Sequence, residues 1–261
     1  MEKIKFSIIT VLYNNSSCIK KTIESIVNQT YKNIEYIIID GNSEDDTLKI
    51  CNQYKDKIDK LISQPNAGVY GNMNRGMSYI SGDYLIFMNC DDTFADEYAL
   101  ENLADTILKK DEPDFIYGNS LEESHDGKNY YEKKAHNHTY LWYGMFTRHQ
   151  AMVYKISIIH NFNLLYDLNY KMAADYDFTA RFLANAKTIL YVDDILCIYK
   201  QGGISTVHFK TALKEQLKIG KEVLNYNIFK RFLILTAHLM AITVRRKIPG
   251  FYNYIRFKKN Y

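Results

Sequence analysis

The chain has 261 residues, of which 47% are hydrophobic and 24% charged, as in an ordinary globular protein. That length suits one sizeable domain, or one domain with an appendage. No apolar run approaches the roughly 20 residues of a membrane-spanning helix, and no Cys/His cluster has zinc spacing.

The net charge of +3 hides an asymmetry. Residues 201–261 hold 12 Lys and Arg against 2 Asp and Glu, which leaves a net −7 for the first 200 residues. A basic end on an acidic body points to an anionic surface as partner. Nothing in the pattern calls for nucleic acid. Cys18, Cys51, Cys90 and Cys197 form no CxxC pair and sit in or beside apolar runs. They are expected as reduced thiols of a cytoplasmic protein. The opening "MEKIKFSIIT" enters a strand directly, so no signal peptide is expected.

In chain order, "KFSIITVLY" is apolar and β-branched and predicts a buried strand. In "CIKKTIESIVNQ", Ile19, Ile23, Ile26 and Val27 recur at helical spacing. "IEYIIID" predicts a second strand ending at Asp40. Ser43 and Asp46 resemble a capping pair for the helix "DDTLKICNQY". "KLISQ" reads as a short strand, "NAGVYGNMNRGMSYIS" as a helix despite its glycines, and "DYLIFMN" as a fourth strand. Such β-α alternation predicts an α/β fold with a mostly parallel sheet and helices on both faces. Ligands of such sheets bind beyond the carboxyl ends of the strands. Thr10 to Asn14, Asp40 to Ser43 and Asn89 to Asp92 occupy such ends and should converge.

A helix is expected from Asp96 to about Lys110, then a strand at "PDFIYGN". Residues 120–148 read as irregular structure or a short hairpin. "RHQAMVYK" predicts a strand leading to a short helix, and "AADYDFTARFLANA" a helix with Phe178 and Phe182 on one face. "TILYVDDILCIYK" holds one or two strands. From about Phe209 to Arg246 the pattern is helical, with Leu213, Leu217 and Leu224 near one face.

The turn after the first strand, "LYNNSS", has no glycine, so a dinucleotide GxGxxG is absent. There is no P-loop, GxSxG elbow or HExxH helix either. A sugar-1-phosphate nucleotidyltransferase would want a Gly-rich basic loop at that turn. Any nucleotide must therefore be held by side chains and metal. Asp91 and Asp92 suit that, since Mg²⁺ or Mn²⁺ is often held by one or two carboxylates while substrate phosphates complete its shell. The same two residues could instead merely cap the next helix.

"SIITVLYNN", "IEYIIIDGNSEDDT" and "SQPNAGVYGNMNRGMSYISGDYLIFMNCDD", in that order, closely resemble family 2 glycosyltransferases of the GT-A fold. The resemblance is greatest to the bacterial subgroup that builds O-antigen, capsule and exopolysaccharide, and it covers roughly residues 4–205. It implies a catalytic domain at 1–205, with a nucleotide-sugar half at 1–95 and an acceptor half at 96–205. Residues 206–261 would be a basic helical extension.

The resemblance also implies roles. Thr10 and Tyr13 match the segment that holds uracil, with Tyr13 against the base. Asp40 matches the Asp that accepts the uracil N3–H. Asn74 and Arg75 border the donor and are candidates for diphosphate or ribose contact. "NCDD" matches the DxD-type element, so Asp91 would bind ribose or metal-linked water and Asp92 the divalent cation. His208, beyond "GGIS", is a further candidate metal ligand. His149 and Gln150 match a pair that orients acceptor or base. Asp175 matches the catalytic base of inverting members, with Asp177 as the fallback unless it pairs with Arg181. Gly71, Asn89 and Ala174 depart from the family pattern, and they keep open a non-catalytic nucleotide-sugar-binding partner of another transferase.

The implied reaction is a single inverting displacement from a UDP-sugar onto a glycan hydroxyl. The implied acceptor is carried on a polyprenyl diphosphate at the inner face of the cytoplasmic membrane. The C-terminal end fits that surface. An uncharged stretch from Phe232 to Val244 is flanked by Lys230-Arg231 and Arg245-Arg246-Lys247, and is followed by interleaved aromatic and basic residues.

Overall fold

The computed structural model describes residues 4–124, 126–200 and 209–247. The first half follows the expected alternation. Strands β1 (Phe6–Leu12), β2 (Ile34–Asp40), β3 (Lys60–Ser63) and β4 (Tyr84–Phe87) are separated by helices α1 (Ile19–Val27), α2 (Thr47–Asn52) and α3 (Gly68–Met77). These strands pair in parallel in the order β3-β2-β1-β4. Every residue of β1 and β4 is buried, as expected when helices cover both faces of a parallel sheet.

The second half is not parallel throughout. Strand β8 (Met152–Lys155) joins β4 to β6 (Phe115–Glu123), antiparallel to both. Strand β9 (Ile189–Lys200) runs parallel to β6 on its other edge, with register shifts around Asn119. A two-residue strand, β5 (Thr93–Phe94), follows the "NCDD" turn and pairs antiparallel with β9. Strand β7 (Tyr130–Lys133) forms a hairpin with β6, as the short-hairpin reading of 120–148 expects. The described residues thus make one nine-stranded sheet.

Alternate side chains of the central strands feed two cores. Ile9, Val11, Ile37, Ile39 and Phe87 pack on one face with α3, α5 (Ile156–Asn161) and α6 (Ala174–Leu183). Phe6, Ile8, Tyr36, Ile38 and Ile86 pack on the other with α1, α2 and α4 (Ala99–Lys109).

Two expectations need correction. Ser43 and Asp46 form no capping pair: Asp46 is the N-cap of α2 without a side-chain bond, and the Ser43 hydroxyl donates to Asp40 Oδ1 at 2.5 Å. The C-terminal helix is two helices, α7 (Phe209–Glu222) and α8 (Ile228–Lys247). Between them Asn225 adopts φ 54°, a left-handed conformation that Asn tolerates and that ends a helix.

Candidate active site

The strand ends do converge. Asp40, at the end of β2, is fully buried. Its Oδ1 accepts the Ser43 hydroxyl, and its Oδ2 accepts the Ser43 N–H at 3.0 Å and the Ser63 hydroxyl at 2.6 Å. A carboxylate has about four acceptor positions, so Oδ1 keeps one. Tyr13, just past β1, is exposed and leaves its ring face open. Thr10 is a correction. It points into the α1/α2 core, where its hydroxyl donates to the Met88 carbonyl at 2.7 Å and lies 3.2 Å from the Tyr36 hydroxyl. It ties β1 to the residue that follows β4, with its hydroxyl committed inside the core.

The "NCDD" turn is stitched to α1. Thr22 Oγ1 donates to the Asp92 carbonyl at 2.9 Å and accepts the Asp91 N–H at 3.1 Å. Asp91 has φ 78°, a strained conformation for a residue with a Cβ, of the kind concentrated at functional sites. Its carboxylate faces Lys200 Nζ at 3.5 Å. Asp92 is buried, and burial pushes its pKa up to about 7 against the pull of the Gln150 amide. That amide donates to Asp92 Oδ2. Asn89 Oδ1, in the same turn, is buried with no hydrogen-bond partner among the described residues. Cys90 lies between them, its sulfur 2.9 Å from that of Cys18, so two half-buried thiols meet beside this turn.

Two of the residues expected on the acceptor side, His149 and Asp175, join one network around Tyr166. Its hydroxyl lies 2.7 Å from His149 Nε2, and its ring stacks on Tyr70 and Phe178. His149 in turn stacks on Phe87 of β4. Burial pushes the His149 pKa down to about 4, so the imidazole is neutral near pH 7. The Tyr70 hydroxyl reaches Asp175 Oδ1 at 3.4 Å, which also accepts the Tyr176 N–H at 2.9 Å. Burial raises the Asp175 pKa above the usual carboxylate range.

Asp177 is committed elsewhere. Arg181 donates to its Oδ2 from Nε at 2.9 Å and from Nη2 at 2.5 Å, so it serves as a buried ion-pair partner and is a poor candidate base. Asn74 also serves structure, because its amide exchanges both hydrogen bonds with the backbone of Tyr166, at 2.9 and 2.8 Å. Arg75 caps its own neighbourhood through the Pro65 carbonyl at 2.6 Å and Asn72 at 3.1 Å. His208 lies outside the described residues.

Sequence reasoning missed Arg148 and Glu215. Arg148 sits over the Tyr199 ring, donates to its hydroxyl at 2.6 Å and faces the buried Glu122 carboxylate at 3.6 Å. Its charge draws down both Asp92 and Asp175, and its Nε is buried with no partner among the described residues. Its place directly before His149-Gln150 was the one local signal. Glu215 of α7 accepts the N–H groups of Lys171, Met172 and Ala173 at 2.8–3.0 Å, at the start of the helix that carries Asp175. No motif in the sequence marks it.

Comparison with known proteins fits this geometry. The family model described as "Glycosyl transferase family 2" matches residues 7–170. The chain belongs to glycosyl transferase family 2. Among curated relatives of this glycosyltransferase, the PGL/p-HBAD biosynthesis glycosyltransferase Rv2957 of Mycobacterium tuberculosis is 30% identical over 80% of this chain and 82% of the relative. Among solved structures, S. aureus TarS 1–349 in complex with UDP-GlcNAc aligns with TM-score 0.67 and 18% identity, covering 90% of this chain and 72% of that one. The mannosyltransferase PcManGT from Pyrobaculum calidifontis, in complex with GDP-Man and Mn²⁺, aligns with TM-score 0.67 and 10% identity over 95% of this chain and 76% of that one. The fold of this family 2 glycosyltransferase is GT-A, with a mixed rather than wholly parallel sheet.

Two departures from the family pattern have packing reasons. A Cβ at Gly71 would stand 2.7 Å from the Ala67 Cβ, so an Asp there would need the turn to shift. Ala174 is fully buried, and an acid in its place would be a charge inside the core.

Proposed function

We propose that this glycosyltransferase moves a sugar from a UDP-sugar to a hydroxyl of a glycan acceptor, with inversion, in the synthesis of a bacterial surface polysaccharide. The observation that carries the reading is the pair Asp92 and Asp175. Both pKa values are raised by burial, both lie in the field of Arg148, and among the described residues neither has an ion-pair partner. One acid is thus available to the donor and the other to the acceptor.

On the donor side, Tyr13 would lie against the base, and the remaining acceptor position of Asp40 Oδ1 would take the uracil N3–H. The solved complexes of TarS with UDP and UDP-GlcNAc support a uridine donor. Asp92, with Asp91 and Asn89, would hold Mn²⁺ or Mg²⁺. The donor set fits a hard cation, since a buried carboxylate with a raised pKa and a buried amide oxygen without a donor are both relieved by one. No group of three or more His, Cys, Asp or Glu gathers among the described residues, so water and diphosphate would complete the shell. A cation held there would supply charge neutralisation for a nucleoside diphosphate leaving group.

On the acceptor side, Asp175 takes the proton of the attacking hydroxyl. Tyr70 and the Tyr176 N–H hold its Oδ1, leaving Oδ2 for the acceptor. A raised pKa suits a base working near neutral pH. A single base opposite the leaving group gives inversion. The acceptor we assign is a glycan on polyprenyl diphosphate, presented at the inner face of the cytoplasmic membrane to the unit formed by residues 1–205.

Calorimetric titration with UDP and a panel of UDP-sugars, in Mn²⁺ and in EDTA, tests the reading. Wild type should bind in Mn²⁺, lose affinity in EDTA and release UDP from one sugar donor. Asp92→Ala should bind weakly in both. Equal UDP affinity in this variant, with unchanged metal dependence, removes the metal assignment. Binding without any turnover favours the non-catalytic partner.

A further inference from the structure

Helix α8 presents two unlike faces. Toward the domain, Ile234 is buried and His238 stacks on Tyr143 at 4.3 Å with the rings nearly parallel, its Nε2 lying 3.0 Å from the Tyr143 carbonyl oxygen. Toward solvent, Ile228, Phe229, Phe232, Leu233, Leu239 and Met240 are 51–80% exposed. At 100° per residue these six share one side of the helix. Thr236 and Thr243 fall on the same side and bond back to the Leu233 and Leu239 carbonyls, so their hydroxyls add little polarity. No charged side chain interrupts this face between Ile228 and Thr243.

A soluble chain rarely leaves such a contiguous apolar surface to water. The charges say what covers it. Helix α8 has no acidic residue, and basic residues stand at both ends, Lys230-Arg231 and Arg245-Arg246-Lys247. Pairing two copies along this face, parallel or antiparallel, would set basic ends against basic ends. An anionic lipid surface accepts both the apolar side and the flanking cations. The helix is not long and apolar enough to cross a membrane, which leaves an in-plane pose.

We propose that α8 docks in the plane of an anionic bilayer through the Phe229–Met240 face. The docking deepens the glycosyl-transfer reading in one respect only, the side from which the acceptor arrives. Tyr143 follows Leu141, whose carbonyl accepts the Tyr176 hydroxyl at 2.7 Å, and Tyr176 follows Asp175. The membrane-facing helix is therefore joined by packed residues to the helix that carries Asp175, so a lipid-borne acceptor would approach from the side of that helix.

The test is co-sedimentation of the full chain with vesicles of phosphatidylglycerol and phosphatidylcholine, against phosphatidylcholine alone, with UDP affinity measured on the same preparations. Wild type should bind the anionic vesicles at low salt and leave the neutral ones. The double variant Phe229→Gln/Phe232→Gln should bind at least about tenfold more weakly, with unchanged helix content and UDP affinity. Lys230→Gln should weaken binding less and reduce its salt dependence. Wild type that ignores anionic vesicles, or a double variant that binds as wild type does, overturns the proposal. So does a dimer in sedimentation velocity that the double substitution dissolves, since a second copy would then be the occupant. Loss of UDP binding in wild type with vesicle binding intact would instead count against the transfer reading.

Discussion

Asp175 and Asp177 lie two residues apart on α6 and do different work. Asp177 is locked by Arg181, while among the described residues Asp175 meets hydroxyl and backbone donors and no cation. Asp175→Asn should keep UDP-sugar affinity and lose transfer by ~10²–10⁴-fold, the usual cost of removing a general base. Asp177→Asn should instead lower the melting temperature, because it leaves the half-buried Arg181 without its charged partner, at a cost of about 1–3 kcal/mol. Calorimetry and transfer assays on the two variants check both outcomes; full activity in Asp175→Asn with loss in Asp177→Asn would move the base. His149 gives a pH signature. Its folded pKa of about 4 lies below the ~6.5 of an unfolded histidine. Between those values the unfolded chain binds more protons, so this group makes stability fall as pH drops from about 6.5 toward 4. Burial of Asp92 acts in the opposite sense over the same range, so the difference between proteins is the informative quantity. His149→Gln should flatten the fall of melting temperature with acidification, measured by thermal unfolding from pH 4 to 7.

At the scale of elements, α6 begins without a side-chain cap of its own, since Ala173 is its N-cap. Glu215 of α7 supplies one, bonding three successive N–H groups just before the helix. A carboxylate there also meets the positive end of the helix dipole. Glu215→Gln keeps most of the shape and removes the charge. It should cost about 1 kcal/mol of stability and lower kcat while UDP affinity stays unchanged, because only the helix bearing Asp175 is loosened. A titration and a steady-state assay on this variant separate that outcome from a general loss of fold. The β4–β8 pairing does similar work for Asp92. It carries the Arg148-His149-Gln150 segment, at the start of β8, to the "NCDD" turn at the end of β4.

At the scale of the whole molecule, the C-terminal extension divides in function. Helix α7 packs onto the body that precedes it through Glu215 and the buried Ile219. Among its described residues helix α8 adds one fully buried aliphatic side chain, Ile234, and a ring stack, about 2–4 kcal/mol together. A chain ending at Asn225 should therefore still fold, with a melting temperature lower by about 5–10 °C and unaltered UDP affinity. Collapse of this truncation in a thermal scan would mean that α8 is part of the core.

The sequence by itself determined the β-α alternation, the two-sided burial of β1 and β4, and the strand-end positions of Asp40 and Asp92. Those are local properties, set by the spacing of apolar residues along a few turns or pleats. Phe178 and Phe182 were legible as a core face for the same reason, and both are fully buried. The split at Asn225 was not, because a left-handed Asn inside a helical pattern leaves no trace in the periodicity. The insertion of antiparallel β8 between β4 and β6 was decided only by tertiary structure, since strand order depends on contacts that no local period encodes. The assembled site is of that kind as well. Gln150 meets Asp92 across 58 residues, and Tyr70 meets Asp175 across 105. The fate of each polar side chain followed from the same contacts. Thr10 and Asn74 were absorbed by backbone partners and Asp177 by Arg181, while the buried Asp92 and the half-buried Asp175 were left without an ion-pair partner among the described residues. Which carboxylate stays available for chemistry depends on what the fold packs against it.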